Sequence, residues 1–286
     1  GRSRPACVPA GGAFCRRACG ESSPTWCFIV ADVRTPRIAV AQLGARRHYA
    51  VPRILHEAGM LDRLFTDSYS GNKPWLRRLV NGVDRVRPTE ASRRWLSRQT
   101  DDLPTGKVTS FEGLGLAYAR ARSRERRDKA MTDVFTRYGK AFNEAILRHG
   151  LGDAAVVWGF NRAQLELFEA AGREGRRCVL DQTIAPSPVH HALLAAEHAR
   201  WPGWQEAPPT QPDRAVAERE RCEWTAVDRI FCPSEFVRES VVAAGGPAEK
   251  CVLVPYATDG GRFPPRPTRR PPEGRPLRVL FAGEVG

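Results

Sequence analysis

The sequence predicts an α/β fold, a Rossmann-like, mostly parallel sheet with helices on both faces. Three observations predict it: short, continuously apolar runs; amphipathic segments of helical spacing that alternate with those runs; and glycines or prolines punctuating nearly every junction. Continuous apolarity marks strands buried on both faces, which is what parallel sheets covered by crossover helices require. Ligands of such sheets bind beyond the carboxyl ends of the strands, near the point where strand order reverses, so the residues just after each strand are the ones to inspect.

The first element is Ile38–Leu43 (IAVAQL), a short apolar strand ended by Gly44. Tyr49–Ala58 comes next, with Val51, Ile54, Leu55 and Ala58 at helical spacing, and Gly59 closes it. Leu61–Thr66 is a second strand. From Asn72 to Asp102 come short amphipathic pieces with Trp75 and Trp95 set among arginines, then an arginine-dense helix over Ala117–Arg127. Lys129–His149 places Met131, Val134, Phe135, Tyr138, Phe142 and Ile146 on one stripe. Ala154–Gly159 is a strand, Gln164–Ala171 a helix, Arg177–Asp181 a strand and Val189–Arg200 a helix containing Glu197. Beyond a proline-rich loop over Trp201–Pro212, the long helix Asp213–Ala226 delivers the strand Arg229–Cys232. Pro233 and Ser234 stop that strand and cap the helix Glu235–Ala244, and Cys251–Val254 is the last strand of the domain.

Three stretches fall outside this alternation. Residues 1–36 lack a sustained period and read as an extension that is disordered or not native to the domain. Residues 257–276, rich in proline and arginine, read as an interdomain linker. Residues 277–286 (LRVLFAGEVG) read as the first strand and glycine turn of a second domain, truncated there. A lone strand cannot bury two apolar faces or pair its backbone, so the sequence is read as a fragment, with 37–256 as its folded domain.

Composition narrows the function classes. At 42% hydrophobic residues the chain can build a sizeable core, and no run approaches the ~18 apolar residues of a membrane span. The expected location is cytoplasmic, with peripheral attachment at the inner face of the membrane open to a basic surface. The net charge of +13 is regional: Lys73–Arg148 holds 18 basic and 9 acidic residues. Such a stretch meets anionic lipid headgroups, nucleic acid or a phosphorylated substrate, or else reflects an arginine-rich composition with solvated side chains. Of the eight cysteines, four (Cys7, Cys15, Cys19, Cys27) crowd the extension and none has the paired short spacing of a zinc site.

The run from Val179 to Phe263 carries a resemblance. AVDRIFCPSEFVRES, with VPYATD about twenty residues later, VLDQTIAPSPVHHALLAAEHARWPGW upstream and LRVLFAGEVG downstream, resembles the acceptor-side domain of bacterial family 4 (group 1) glycosyltransferases of GT-B type. The chain departs from that pattern at Val227 before Asp228, at Ala257 where glycine is usual, and at Thr258 before Asp259. The resemblance is weakest over Asn72–Asp153.

It implies transfer of a sugar from a nucleoside-diphosphate sugar to a glycan, lipid-linked or small-molecule acceptor, with retention, and no metal or other cofactor. It also implies that most donor contacts lie in a second domain, so that this chain alone is inactive or nearly so. On the residues that match, Asp181 would be the polar group that contacts the sugar or the acceptor hydroxyl; as sequence, it reads equally as an Asp capping the turn before Pro186. Gly44, Arg46 and His48 would form the loop against donor and acceptor, and a plain strand-to-helix turn accounts for Gly44 as well. Gln182 and Glu197 would face the acceptor, though a solvated helix charge explains Glu197. Ser234 would present its helix start to a phosphate, while an ordinary N-cap explains it without a ligand.

Rival readings are a non-catalytic acceptor-binding remnant, a different GT-B enzyme such as a sugar-nucleotide epimerase, and a basic nucleic-acid-binding module suggested by the arginines with Trp75 and Trp95. No recognised nucleic-acid motif is present, so nucleic acid is not an expected partner.

Overall fold

The computed structural model describes residues 35–125, 128–203, 213–257 and Leu280. All of the extension before Thr35, the linker beyond Ala257 and, Leu280 apart, the terminal strand over 277–286 lie outside the described residues.

In chain order the regular elements are β1 (Ile38–Gln42), α1 (Ala50–Glu57), β2 (Leu61–Thr66), α2 (Pro74–Val86), α3 (Glu90–Leu96), β3 (Val108–Ser110), α4 (Glu112–Arg124), α5 (Asp128–His149), β4 (Val156–Phe160), α6 (Leu165–Arg173), β5 (Arg177–Asp181), α7 (Ser187–Arg200), α8 (Arg214–Ala226), β6 (Arg229–Cys232), α9 (Glu235–Ala243) and β7 (Cys251–Leu253). The strands form one parallel sheet of seven among the described residues, in the order β3-β2-β1-β4-β5-β6-β7.

Side chains alternate across the sheet with the strand period of two. In β1, Ile38 and Val40 join Leu61, Leu64, Tyr49 and the α1 residues Val51 and Leu55 on one face. Ala39 and Ala41 join Phe142 and Ile146 of α5, Leu167 and Phe168 of α6, and Trp224 of α8 on the other. Val40, Leu64, Val157, Leu180 and Ile230, one from each central strand, are fully buried. Each contributes about 1.5–3 kcal/mol by leaving water. The α5 stripe meets its expectation: Phe142 and Ile146 are in the core, Val134, Phe135 and Tyr138 pack against it, and Met131 lines a cavity beyond the carboxyl ends of the strands.

The predicted strands and helices are present with ends shifted by a few residues. The arginine-dense helix starts five residues earlier than predicted, at Glu112, whose carboxylate is drawn back to Ser68 Oγ (2.6 Å), the Tyr69 N–H (2.9 Å) and Lys73 Nζ (2.9 Å). Strand β3 has no counterpart among the predicted elements: it is only three residues long, an edge strand bearing two hydroxyl side chains, too short and too polar to show an apolar run.

From β1 the chain adds β2 and β3 on one side, then crosses back to β4 and proceeds through β5, β6 and β7 on the other. The order therefore reverses between β1 and β4, and the loops leaving these two strands diverge to opposite sides of the sheet. A crevice opens where they part.

Candidate functional site at the strand-order reversal

The loop after β1 is held by three polar contacts. Buried Gln42 donates from Nε2 to the carbonyls of Gly44 (2.9 Å) and Arg46 (3.1 Å). Gly44, at φ +83°, donates its N–H to Asp67 Oδ1 (2.8 Å), and Arg98 donates to the other oxygen of Asp67 (2.7 Å). The Gly44 amide is thus spent on a protein carboxylate. The backbone then turns left-handed: Arg47, His48 and Tyr49 have φ of 49°, 47° and 62°. This conformation costs roughly 1–2 kcal/mol per non-glycine residue, about 3–6 kcal/mol over the three. Tyr49, buried edge-on against Tyr69 at 5.4 Å between ring centroids, holds one end of the turn. The turn sends Arg46 toward the crevice, Arg47 to the end of β5 and His48 into solvent.

At the end of β5, Asp181 is buried and receives a hydrogen bond from Arg47 Nη2 at 2.6 Å. Burial pushes its carboxyl up to about 6, against the pull of the Arg47 and Arg46 guanidinium groups. The Arg47 guanidinium stacks 3.8 Å from the centroid of Tyr256, whose hydroxyl donates to the Thr183 carbonyl (3.1 Å). Asp181 does not cap the turn after β5, one of the two roles that its sequence context suggests. Asn161, at the end of β4, takes that role and accepts from the Thr183 hydroxyl (2.8 Å) and N–H (3.3 Å).

The backbone after β4 is clamped by charges from α8. Glu223, fully buried, accepts from the Arg162 N–H (2.6 Å) and the Gln164 N–H (3.2 Å), and burial raises its carboxyl to about 8. Glu220, also fully buried, accepts from Arg162 Nε (2.7 Å) and the Ser187 N–H (2.8 Å). Arg219 holds Glu166 through both terminal nitrogens (2.7 and 2.8 Å) and donates from Nε to the Arg162 carbonyl (3.0 Å). Buried pairs of this kind stabilise little overall but lose several kcal/mol when one partner is removed, so they fix a loop in one conformation.

Between these loops and the helices that cover them lies a cavity of about 380 Å³. Arg46, Asn161, Arg162 and Thr183 form its floor, while Tyr118 of α4 and Phe135 of α5 stand among its walls. Its volume is that of a small-molecule site, and it sits at the β1/β4 reversal. Four arginines face it (Arg46, Arg122, Arg162 and Arg219), and no acidic residue among the described residues does. Arg162 and Arg219 are neutralised by Glu220 and Glu166. Arg46, whose guanidinium lies 5.4 Å from the Phe160 ring centroid, makes no direct ion pair among the described residues; burial lowers its pKa, against the longer-range attraction of Asp181 and Glu223. Arg122 lies over Tyr118 at 5.6 Å. The cavity is therefore electropositive, with one desolvated cation at its floor.

Of the residues singled out from sequence, Arg46 lines this cavity and Asp181 lies beside it, joined to the Arg46 loop through Arg47. Gln182 is buried, and its amide is used internally, with Oε1 accepting from Trp224 Nε1 (3.1 Å) and Nε2 donating to the Ile184 carbonyl (2.8 Å). His48 is exposed, Glu197 lies on an exposed part of α7, and neither lines the cavity. Ser234 accepts from the Val237 N–H (3.3 Å) as the N-cap of α9. Sequence reasoning missed Arg47, Asn161, Arg162 and the α8 charges. The available signal was in α8, where Arg219, Glu220 and Glu223 share the buried side with Val216 and Trp224. Among the described residues no group of three or more His, Cys, Asp or Glu side chains could hold a metal ion, and no helix is long and apolar enough to cross a membrane.

No protein-family model matches the chain, and no curated protein matches it. Solved structures do. The N-terminal domain of trehalose-6-phosphate phosphatase from Candida albicans matches with a TM-score of 0.40 and 10% identity, over 79% of this chain and 50% of that one. The UDP-GlcNAc 2-epimerase from Neisseria meningitidis, bound to UDP-GlcNAc, matches with a TM-score of 0.34 and 10% identity, over 76% and 45%. An Anabaena protein in complex with UDP and glucose matches with a TM-score of 0.35 and 8% identity, over 80% and 46%. The chain spans about half the length of these solved structures.

Proposed function

We propose that this chain is the acceptor side of a nucleotide-sugar-dependent glycosyltransferase of GT-B type, of the family 4 kind, acting with retention. The observation that carries the reading is the electropositive cavity at the strand-order reversal, on a chain whose 179–263 region resembles the motif pattern of that family. The acceptor occupies the cavity. Arg46, which makes no direct ion pair among the described residues, holds an anionic or strongly polar part of it, and Asn161 and Thr183 orient its hydroxyls. Asp181 hydrogen-bonds the reacting hydroxyl once Arg47 swings away. The donor diphosphate is held mainly by residues outside this domain.

Saturation-transfer NMR of the chain with neutral and anionic oligosaccharides, with UDP-sugars run in parallel, tests the reading. A binding oligosaccharide whose affinity falls at least tenfold in Arg46→Met supports it, that being the scale of one lost charge-assisted contact. Binding of a UDP-sugar in preference to every acceptor, or acceptor binding indifferent to Arg46→Met, refutes it.

A further inference from the structure

α2 stands apart from the rest of the fold. It has thirteen residues, yet none is buried. Trp75, Leu79, Val83 and Val86 recur at spacings of four, four and three, so at 3.6 residues per turn they form one continuous stripe. All four are exposed, by 69%, 61%, 60% and 88%. Within the helix Leu76, Val80 and Asp84 are half-buried, and it packs chiefly against α3. Its Pro74 end is anchored by Lys73, which reaches Glu112, and its far end is tied to α3 by the capping contacts of Asp84 with Thr89 N (3.1 Å) and the Ser92 hydroxyl. The stripe is thus held outward on a fixed mount.

Its charge setting is one-sided. Arg77, Arg78, Arg85, Arg87, Arg93 and Arg94 stand on α2, α3 and the turn between them against Asp84 and Glu90, while Lys73 and Arg98 at the flanks are paired with Glu112 and Asp67. Arg78 and Arg85, both exposed, fall one turn-edge away from Trp75 and Val86, on the border of the stripe. An apolar stripe with a tryptophan, bordered by arginines whose aliphatic stems can lie along a surface with their heads raised, has the chemistry of a helix lying in a membrane interface.

We infer that α2 is an interfacial anchor that docks this chain on an anionic lipid bilayer, with the Trp75–Val86 stripe inserted among the acyl chain ends and the arginines on the headgroups. The occupant is a bilayer because the stripe is apolar along its whole length while Arg78 and Arg85 line its solvent-facing border, complementary to anionic lipid. This surface also differs from the arginine-dense α4, where Gly115 and Tyr118 turn inward and no comparable outward stripe accompanies the charges. Docking through α2 does not depend on the proposed transferase activity.

Co-sedimentation with vesicles of phosphatidylcholine, with and without phosphatidylglycerol, tests it. The wild-type chain should sediment with the mixed vesicles and lose that binding at high salt. Leu79→Glu with Val83→Glu, at exposed positions that leave the core intact, should abolish it. Arg78→Gln with Arg85→Gln should weaken partitioning about 25-fold, at about fivefold per basic residue. Arg120→Gln with Arg124→Gln should weaken it less than the α2 arginine pair does. Wild-type protein that stays in the supernatant overturns the inference, as does a Leu79→Glu, Val83→Glu variant that still sediments. It is also overturned if sedimentation velocity shows a wild-type dimer that the stripe variant dissociates, since the stripe would then be a contact between two copies.

Discussion

Replacing Arg47 with methionine removes the cation from the Arg47–Asp181 pair and keeps a long apolar stem at the same place. The cost depends on pH, because Asp181 can escape an unpaired buried charge by taking a proton. In the wild type burial raises its carboxyl from 3.8 to about 6, so at pH 7 the folded state carries an ionised group that is worth roughly 3 kcal/mol less than in the unfolded chain. Without Arg47 the value rises further. The limit is a neutral Asp181, and holding that proton at pH 7 costs about 4 kcal/mol relative to the ionised unfolded chain.

The difference, and hence the charge part of the destabilisation, is about 1–1.5 kcal/mol at pH 7. It grows to roughly 3 kcal/mol at pH 8 and is close to zero at pH 5, where the wild-type carboxyl is itself mostly protonated. Loss of the stacking on Tyr256 adds about 1 kcal/mol at every pH. Urea unfolding of both proteins at pH 5, 7 and 8 reads this directly, and carbon-13 titration of the Asp181 carboxyl reads its cause. A destabilisation that stays constant across the three pH values, or an Asp181 that titrates lower in Arg47→Met than in the wild type, would refute the reasoning.

Gly115→Ala places a Cβ 2.5 Å from the Asp67 carbonyl oxygen and 3.2 Å from Ser68 Cβ, both on the strand side of α4. Backbone must move, and a loss of about 1–3 kcal/mol is expected in a urea titration; an unchanged midpoint would mean that α4 does not press on the loop after β2. Asp181 and Glu223 are both held above their ordinary values, so the folded state binds more protons and stability falls as pH rises from about 4 to about 8. Glu112 and Glu166, held below theirs by hydrogen bonds and paired cations, act oppositely: their contribution is lost as pH falls through the ordinary carboxylate range. Stability should therefore peak on the acid side of neutrality. Glu223→Gln should flatten the alkaline fall, and a fall of unchanged size in that variant would assign it elsewhere.

The sheet is legible in the sequence because each central strand carries its own signal. IAVAQ, RCVLD and RIFC are short and apolar on both faces, and glycine, proline or an N-cap serine stands near their ends. The helices are legible from their stripes. The strand-order reversal is not, because nothing local in a sequence says on which side of β1 the chain returns; it comes from the pairing of β4 with β1. The cavity is half legible. Arg46 stands out because it comes just after a strand. Arg47 does not, being one of two adjacent arginines, and nothing in RRHY announces three left-handed residues, since that conformation ordinarily marks itself with glycine or asparagine. The α8 glutamates share a helix side with Val216 and Trp224, which marks that side as inward, but only the tertiary placement of the Arg162 loop beneath them shows what they hold.

Arg46, Arg47 and His48 are consecutive yet end in three environments, and the left-handed turn is what separates them. The strain of that turn, about 3–6 kcal/mol, is held in place by Tyr49 in the core and by the Arg47–Asp181 pair. Strain and pairing can be told apart at pH 5, where the pair contributes almost nothing. Arg47→Gly and Arg47→Met both lose the guanidinium, but glycine adopts φ +49° without the Cβ clash, a gain of about 1–2 kcal/mol, against about 0.5–1 kcal/mol lost to the greater freedom of the unfolded chain. Arg47→Gly should therefore be the more stable of the two at pH 5 by up to about 1.5 kcal/mol, in spite of having the smaller side chain. If methionine were instead the more stable by that margin, the turn would not be strained. The placement of Arg46 over the cavity would then be the relaxed geometry of the loop, with no need for Arg47 and Asp181 to hold it.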